Sequence, residues 1–229
     1  MVVRKRWNNA LDIKMPLPKP QAEAQSHRCK NLPTRRGVVM EPKHKRIIEA
    51  AIALFAQRGL DNISTAQIAR AADVSLPILL QEFDSKEPLL QEILHQLKRE
   101  TIRVAHNDLR IDMGLREHLS LVWHNLIEWA LEHPERYQLL LTLCTSNQAQ
   151  TLLGLSHDDF SHLFPKEPML DAIEHGTIAT LPSLYHQHLF RLLLDGTVQY
   201  ILRTKPDDKQ CRLYIDQTFA LYWRAIHNR

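Results

Sequence analysis

The sequence predicts an all-α chain, and three observations carry that expectation. Apolar residues recur at helical spacing: Ile47, Ala51, Leu54 and Phe55 fall at i, i+4, i+7 and i+8, which places them on one helix face. Turn material for hairpins is scarce. The 229 residues hold six Gly, and the one Asp-Gly pair, Asp195-Gly196, sits inside a helical pattern. Finally, Ser, Gly and Pro punctuate the apolar stretches at the places where helices start and stop.

In chain order, residues 1–40 come first, Pro-interrupted, polar and without an apolar period, and read as a disordered arm. A helix follows from about residue 43. Gly59 ends it, because Gly takes the left-handed cap conformation without steric cost. Ser64 with Gln67 three residues on is a capping box, and Ile68, Ala69 and Ala72 give that short helix its inward side. Asp73-Val74 is a tight connection, and Ser75 opens a third helix, Leu76 to Gln81. Pro77 is tolerated in its first turn, where its missing N–H breaks no intrahelical bond. Asp84 and Glu87 have capping-box spacing, and a long helix is expected from Lys86 to about Asn107. Two short helices joined by a tight turn make a helix-turn-helix unit, whose second helix enters the DNA major groove.

Residues 43 to 90 then resemble the N-terminal domain of tetracycline-repressor-type (TetR-like) transcriptional regulators. The likeness is carried by Ala50-Ala51, Leu54-Phe55, Gly59, Ser64-Thr65, Ile68-Ala69, Val74-Ser75, Leu79, Phe83, Ser85-Lys86-Glu87 and Leu89-Leu90 over about 48 residues. It implies a three-helix DNA-binding head over 41–90, a ligand-binding and dimerisation body over 91–229, and regulation of transcription. Three places depart from the family pattern. Asp73 stands where the family has Gly, Ile78-Leu79-Leu80 where it has Thr-Leu-Tyr, and Glu82-Phe83 where it has His-Phe. Asp visits the left-handed region more readily than most residues, so the turn can survive. Glu82 would repel phosphate.

Charge is unevenly spread. Residues 1–46 hold 12 Lys/Arg and 3 Asp/Glu, a net of +9, which leaves −6 for the rest of a chain of net +3. A basic arm on an acidic body suggests a polyanion partner; the plainer alternative is a solubilising tail. Arg35 and Arg36 lie just ahead of the first helix, where an arm can reach an adjacent minor groove. Cys29, Cys144 and Cys211 are odd in number and far apart, neither a disulfide framework nor a CxxC metal pair, so a reducing cytoplasm is expected. No apolar run reaches membrane-spanning length, and no secretion signal opens the chain.

Beyond the head, helices are expected over Leu115–Glu132, Glu135–Thr145, about Pro168–His175, Ser183–Arg203 and Asp208–His227, with 146–165 irregular. The last two look apolar on more than one side, and a second copy packed against them, as a four-helix interface, is the economical explanation. Leu189, Leu193, Tyr214, Phe219 and Trp223 are the residues expected there. Burial inside one protomer is the alternative.

For double-stranded DNA the candidates are Thr65, Ser75, Gln81 and Lys86, with Leu76 and Ile78 at base edges. The resemblance implies phosphate contacts for Thr65 and Lys86. The exposed start of the Ser75-capped helix can hold a phosphate, and Leu76, Ile78 and Leu80 can meet thymine methyls. Ser64, Ser75 and Asp84 also read simply as caps. Trp123, His124 and Trp129 are candidates for lining a small-molecule effector cavity, or are plain core. The spacings of His157 with His162 and of His186 with His188 do not put two imidazoles on one helix face, so no metal is expected. No nucleophile elbow, phosphate loop or zinc-protease motif is present, so neither catalytic residues nor a cofactor are expected. The reading is a homodimeric, ligand-responsive regulator, more a repressor than an activator, on a palindromic operator. The alternative is a protein-interaction module whose head has lost DNA binding.

Overall fold

In the computed structural model, residues 42–110, 112–146 and 163–228 are described. The basic arm with Arg35 and Arg36, and His157 and His162, lie outside them. Among the described residues the architecture is all helix: α1 (Pro42–Arg58), α2 (Thr65–Ala71), α3 (Leu76–Glu82), α4 (Lys86–Ala105), α5 (Leu115–Glu132), α6 (Pro134–Thr145), α7 (Lys166–Glu174), α8 (Ser183–Thr204) and α9 (Asp208–Ile226).

Local chemistry accounts for the head. α1 buries Ile47, Ile48, Ala51, Ile52 and Phe55, and stops at Gly59, whose φ of 77° lies in the left-handed region. The capping box forms as spaced: Ser64 Oγ accepts from Gln67 N at 3.3 Å, and Gln67 Oε1 accepts from Ser64 N at 2.8 Å. Asp73 takes φ 53°, so the turn closes without glycine. Leu79 and Phe83 then pin α3 to the core formed with α1 and α2.

α4 starts at Lys86 as expected, but its cap differs by one residue. Ser85, not Asp84, is its N-cap, and the Ser85 hydroxyl donates to the Glu87 carboxylate. That bond holds the Glu87 carboxyl below the usual carboxylate range. α7 begins at Lys166, ahead of the Pro168 expected from sequence, because Pro168 is tolerated within the first turn.

The described residues fall within one compact unit. α4 runs through the boundary expected at residue 90, with Leu89, Leu90, Ile93, Leu94 and Leu97 buried along its length. α1 also lies against α6, so head and body share packing. The C-terminus is tied down: Ala179 N donates to Ile226 O at 2.6 Å, and Asn228 N to Thr177 O at 3.1 Å. α8 and α9 turn back on each other through Lys205, at φ 47°, and Pro206.

The body core centres on rings. Trp123 packs edge-on to Phe190 at 5.1 Å and stacks on Tyr222 at 6.3 Å. Phe219 joins that cluster, 6.0 Å from Trp123. This decides between the two readings of Trp123 and corrects the one for Phe219. Trp123 is fully buried and its indole N–H donates to Ile215 O at 3.1 Å, which makes it core rather than cavity wall. Phe219 faces into the same cluster and is not on an outer dimer face. On an amphipathic helix the largest rings give most by burying in the protomer itself.

Candidate nucleic-acid interface

α3 is rooted on one side and open on the other. Leu79 is fully buried, whereas Leu76 and Leu80 are 38% and 40% exposed. Ile78 is half-buried, and Ser75, Pro77 and Gln81 are exposed. The outward set therefore holds two leucines, a proline, the Ser75 hydroxyl, the Gln81 amide and the Glu82 carboxylate, with no side-chain cation among them. Ser75 caps α3 by position but makes no side-chain cap bond, which leaves its hydroxyl available beside the exposed helix start. Thr65 opens α2, half-buried.

Charge around α3 comes from its neighbours. Lys43, Lys45 and Arg46 on α1 and Arg70 on α2 are exposed. Arg46 Nη1 lies 3.5 Å from Asp73 Oδ2 in the turn before α3. Glu82 Oε2 is 3.2 Å from His44 Nδ1, and the His44 ring sits 4.9 Å from that of Phe83.

Lys86, for which the resemblance implies a phosphate contact, also makes contacts within the protein. Its ammonium donates to the Leu60 carbonyl and lies 5.4 Å from the centroid of the Phe55 ring. It ties the start of α4 to the α1–α2 connection. Sequence reasoning missed His44 in turn, because a contact spanning 38 residues has no local signal.

In the body, Trp129 and Tyr137 face an apolar gap with Thr101, Leu126, Phe190 and Leu194, and its free volume is about 20 Å³. Tyr137 is buried there, and burial with the nearby Asp195 carboxylate raises its phenol far above the ordinary value. His124 instead lines an open surface groove of about 550 Å³ between α5 and α9. Its Nε2 is 2.8 Å from Asp216 Oδ1, and its Nδ1 2.7 Å from Ser120 O. The three expected cavity residues thus separate into core, groove and gap. His186 is buried, with Nε2 3.0 Å from Ala179 O, while His188 is exposed.

α8 and α9 leave several large apolar side chains exposed. Leu184, Tyr185, Leu192 and Tyr200 on α8 and Leu213 and Leu221 on α9 are exposed. Leu189, Leu193, Tyr214 and Trp223 are half-buried and packed against the core.

A three-helix head of this geometry on an all-helical body defines a helix-turn-helix DNA-binding protein. The head matches the model of the bacterial regulatory proteins of the tetR family over residues 47–93. The chain is 27% identical over 195 residues to the HTH-type transcriptional regulator LuxR of Vibrio harveyi, covering 81% of this chain and 92% of that protein. It is 36% identical over 86 residues to the HTH-type transcriptional regulator BetI of Agrobacterium fabrum, covering 37% and 42%. Among solved structures, a tetR family transcription regulator from Shewanella sp. PV-4 superposes with a TM-score of 0.72 at 25% identity, over 82% of this chain and 100% of that one. A TetR family regulator from Marinobacter aquaeolei VT8 gives 0.67 at 22%, over 82% and 97%. The head is thus similar to that of the tetR family, and the chain as a whole resembles TetR-like transcriptional regulators.

Proposed function

We propose that this regulator is a ligand-responsive repressor that binds a palindromic operator as a homodimer, with α3 of each protomer in a major groove. The observation that carries the reading is the outward set of α3, Leu76, Leu80 and Gln81, held in place by buried Leu79. Leucine and isoleucine edges suit thymine methyls, and the Gln81 amide suits an adenine edge. Thr65, Ser75 and the arm residues Arg35 and Arg36 supply backbone contacts, which position the helix without reading sequence. Lys86 retains donors beyond the one given to Leu60.

Support for a dimer comes from the exposed α8–α9 surface, whose leucines and tyrosines gain most from burial against an identical surface. Support for an effector comes from the apolar gap, which fits a small apolar or amphipathic molecule once its walls part. Such a ligand acts only through different affinities for the DNA-competent and incompetent states. Cytoplasmic action accords with Cys144 and Cys211 standing outside any disulfide.

Selection of bound sequences from a random duplex pool tests the reading. Enrichment of one two-fold-symmetric site, with binding that falls steeply with salt, is the expected result. A pool that stays random at every salt concentration favours the protein-interaction module instead.

A further inference from the structure

Four side chains on four helices form one hydrogen-bonded chain between the apolar gap and the head. Trp129 of α5 lines the gap with its ring and donates its indole N–H to Glu100 Oε1 of α4 at 3.0 Å. The other Glu100 oxygen accepts from Arg136 Nη1 of α6 at 3.0 Å. Arg136 Nη2 donates to Glu49 Oε2 of α1 at 2.5 Å. Gln96 Nε2 lies 3.5 Å from the remaining Glu49 oxygen. The guanidinium holds its two nitrogens in a rigid fork, so α1 and α4 are registered to each other through α6. The Arg136 side chain is only 19% exposed. At that burial, a group that loses its partner is not fully compensated by water, and the members respond together.

The gap has room for about one water molecule. Any organic occupant must therefore move a wall. Leu126, Leu140, Leu163, Phe164, Phe190 and Leu194 offer the occupant side chains without polar atoms. Thr101 bonds within its own helix, to Leu97 O at 3.0 Å, and Tyr137 reaches Asp195 of α8 at 3.5 Å. Trp129 is the wall whose polar atom leads to α1. Displacing its indole takes a donor from Glu100, and the carboxylate regains a bond only by moving, which shifts Arg136 and its hold on Glu49.

We propose that Trp129, Glu100, Arg136 and Glu49 couple the state of the gap to the position of α1, and so to DNA affinity. The proposal rests on the head being the DNA reader and the gap the effector site. Coupling of two binding sites is reciprocal, so duplex bound at the head must be felt at Trp129.

The test uses the full-length protein labelled with 5-fluorotryptophan, with the Trp129 resonance assigned from Trp129→Phe. The probe is the duplex selected from the random pool, and anisotropy establishes saturation independently. At saturation the Trp129 fluorine resonance is expected to shift more than those of Trp123 and Trp223. Glu49→Gln, and separately Arg136→Lys, which keeps the charge but not the fork, are expected to remove about half of that shift or more. An unmoved Trp129 resonance in a saturated complex overturns the coupling while leaving DNA binding intact. So does an undiminished shift in both variants. A protein that anisotropy shows to bind no duplex overturns the DNA reading, and the coupling falls with it.

Discussion

His44 of α1 holds Glu82 at the end of α3, with Nδ1 and Oε2 3.2 Å apart and the imidazole beside the Phe83 ring. The pattern this head resembles has an imidazole directly before the phenylalanine. Here a carboxylate occupies that place in sequence, and the imidazole reaches the same phenylalanine from another helix. With α3 in a groove as proposed, a negative group at its tip opposes phosphate, and the His44 ring beside Glu82 covers part of that carboxylate. Glu82→Gln is expected to tighten duplex binding by roughly twofold to fivefold near 0.1 M salt, the scale of about 0.5–1 kcal/mol for charges several ångströms apart in water. Fluorescence anisotropy over a salt series checks this, and equal affinity would place Glu82 away from the backbone.

Lys86 is a fastener first. Its ammonium joins Leu60 O and the Phe55 ring, across the junction of α1, α2 and α4. Lys86→Ala is expected to lower stability by about 1–3 kcal/mol, the range for a charge-assisted hydrogen bond with a cation–π contact. Urea denaturation without DNA is the measurement. A midpoint equal to that of the parent protein would return Lys86 to a purely DNA-facing role.

Asp73 carries the turn between α2 and α3 at φ 53°. Left-handed backbone costs an L-residue about 1–2 kcal/mol, less for Asp than for most. Asp73→Gly is expected to raise stability by up to about 1 kcal/mol, after the entropy that glycine gives back to the unfolded chain, and Asp73→Ala to lower it by a similar amount. Losing the exposed ion pair to Arg46 changes little. Urea midpoints in the order Ala, Asp, Gly check the argument; Ala at or above Gly would refute it.

Burial and the neighbouring His106 lower the His118 pKa from its ordinary 6.5. The unfolded chain therefore binds the proton more readily than the native state. This contribution to stability is fully present above pH 6.5 and is lost as pH falls through the native-state value. His118→Leu is expected to flatten the fall in urea midpoint between neutral and mildly acidic pH. An unchanged slope would assign the acid sensitivity to other groups.

Leu192 and Leu221 are 48% and 51% exposed on the α8–α9 surface. If this surface meets its copy, a buried carboxylate at either place is costly and unpaired. Leu192→Glu and Leu221→Glu are expected to convert a dimer into a folded monomer and to weaken operator binding by more than tenfold. Light scattering with circular dichroism reads both mass and fold. A dimer that persists in both variants would move the interface elsewhere.

Much of this protein was legible from its residues in order. Helix identity, the starts at Ser64 and Ser75, the stop at Gly59 and the left-handed Asp73 turn are settled within a few residues, because capping bonds and backbone sterics act over one turn of chain. The ordered spacing of the head also announced the family it resembles. What periodicity leaves open is which apolar side meets which partner. Trp123 and Phe219 joined one ring cluster inside the protomer, while Leu184, Leu192 and Leu221 were left outside. The His44–Glu82 pair, the Lys86–Leu60 tie and the chain from Trp129 to Glu49 were likewise decided by packing alone. A polar side chain finds its partner by proximity in space, and helices brought together by nonspecific burial place residues tens of positions apart within hydrogen-bond reach.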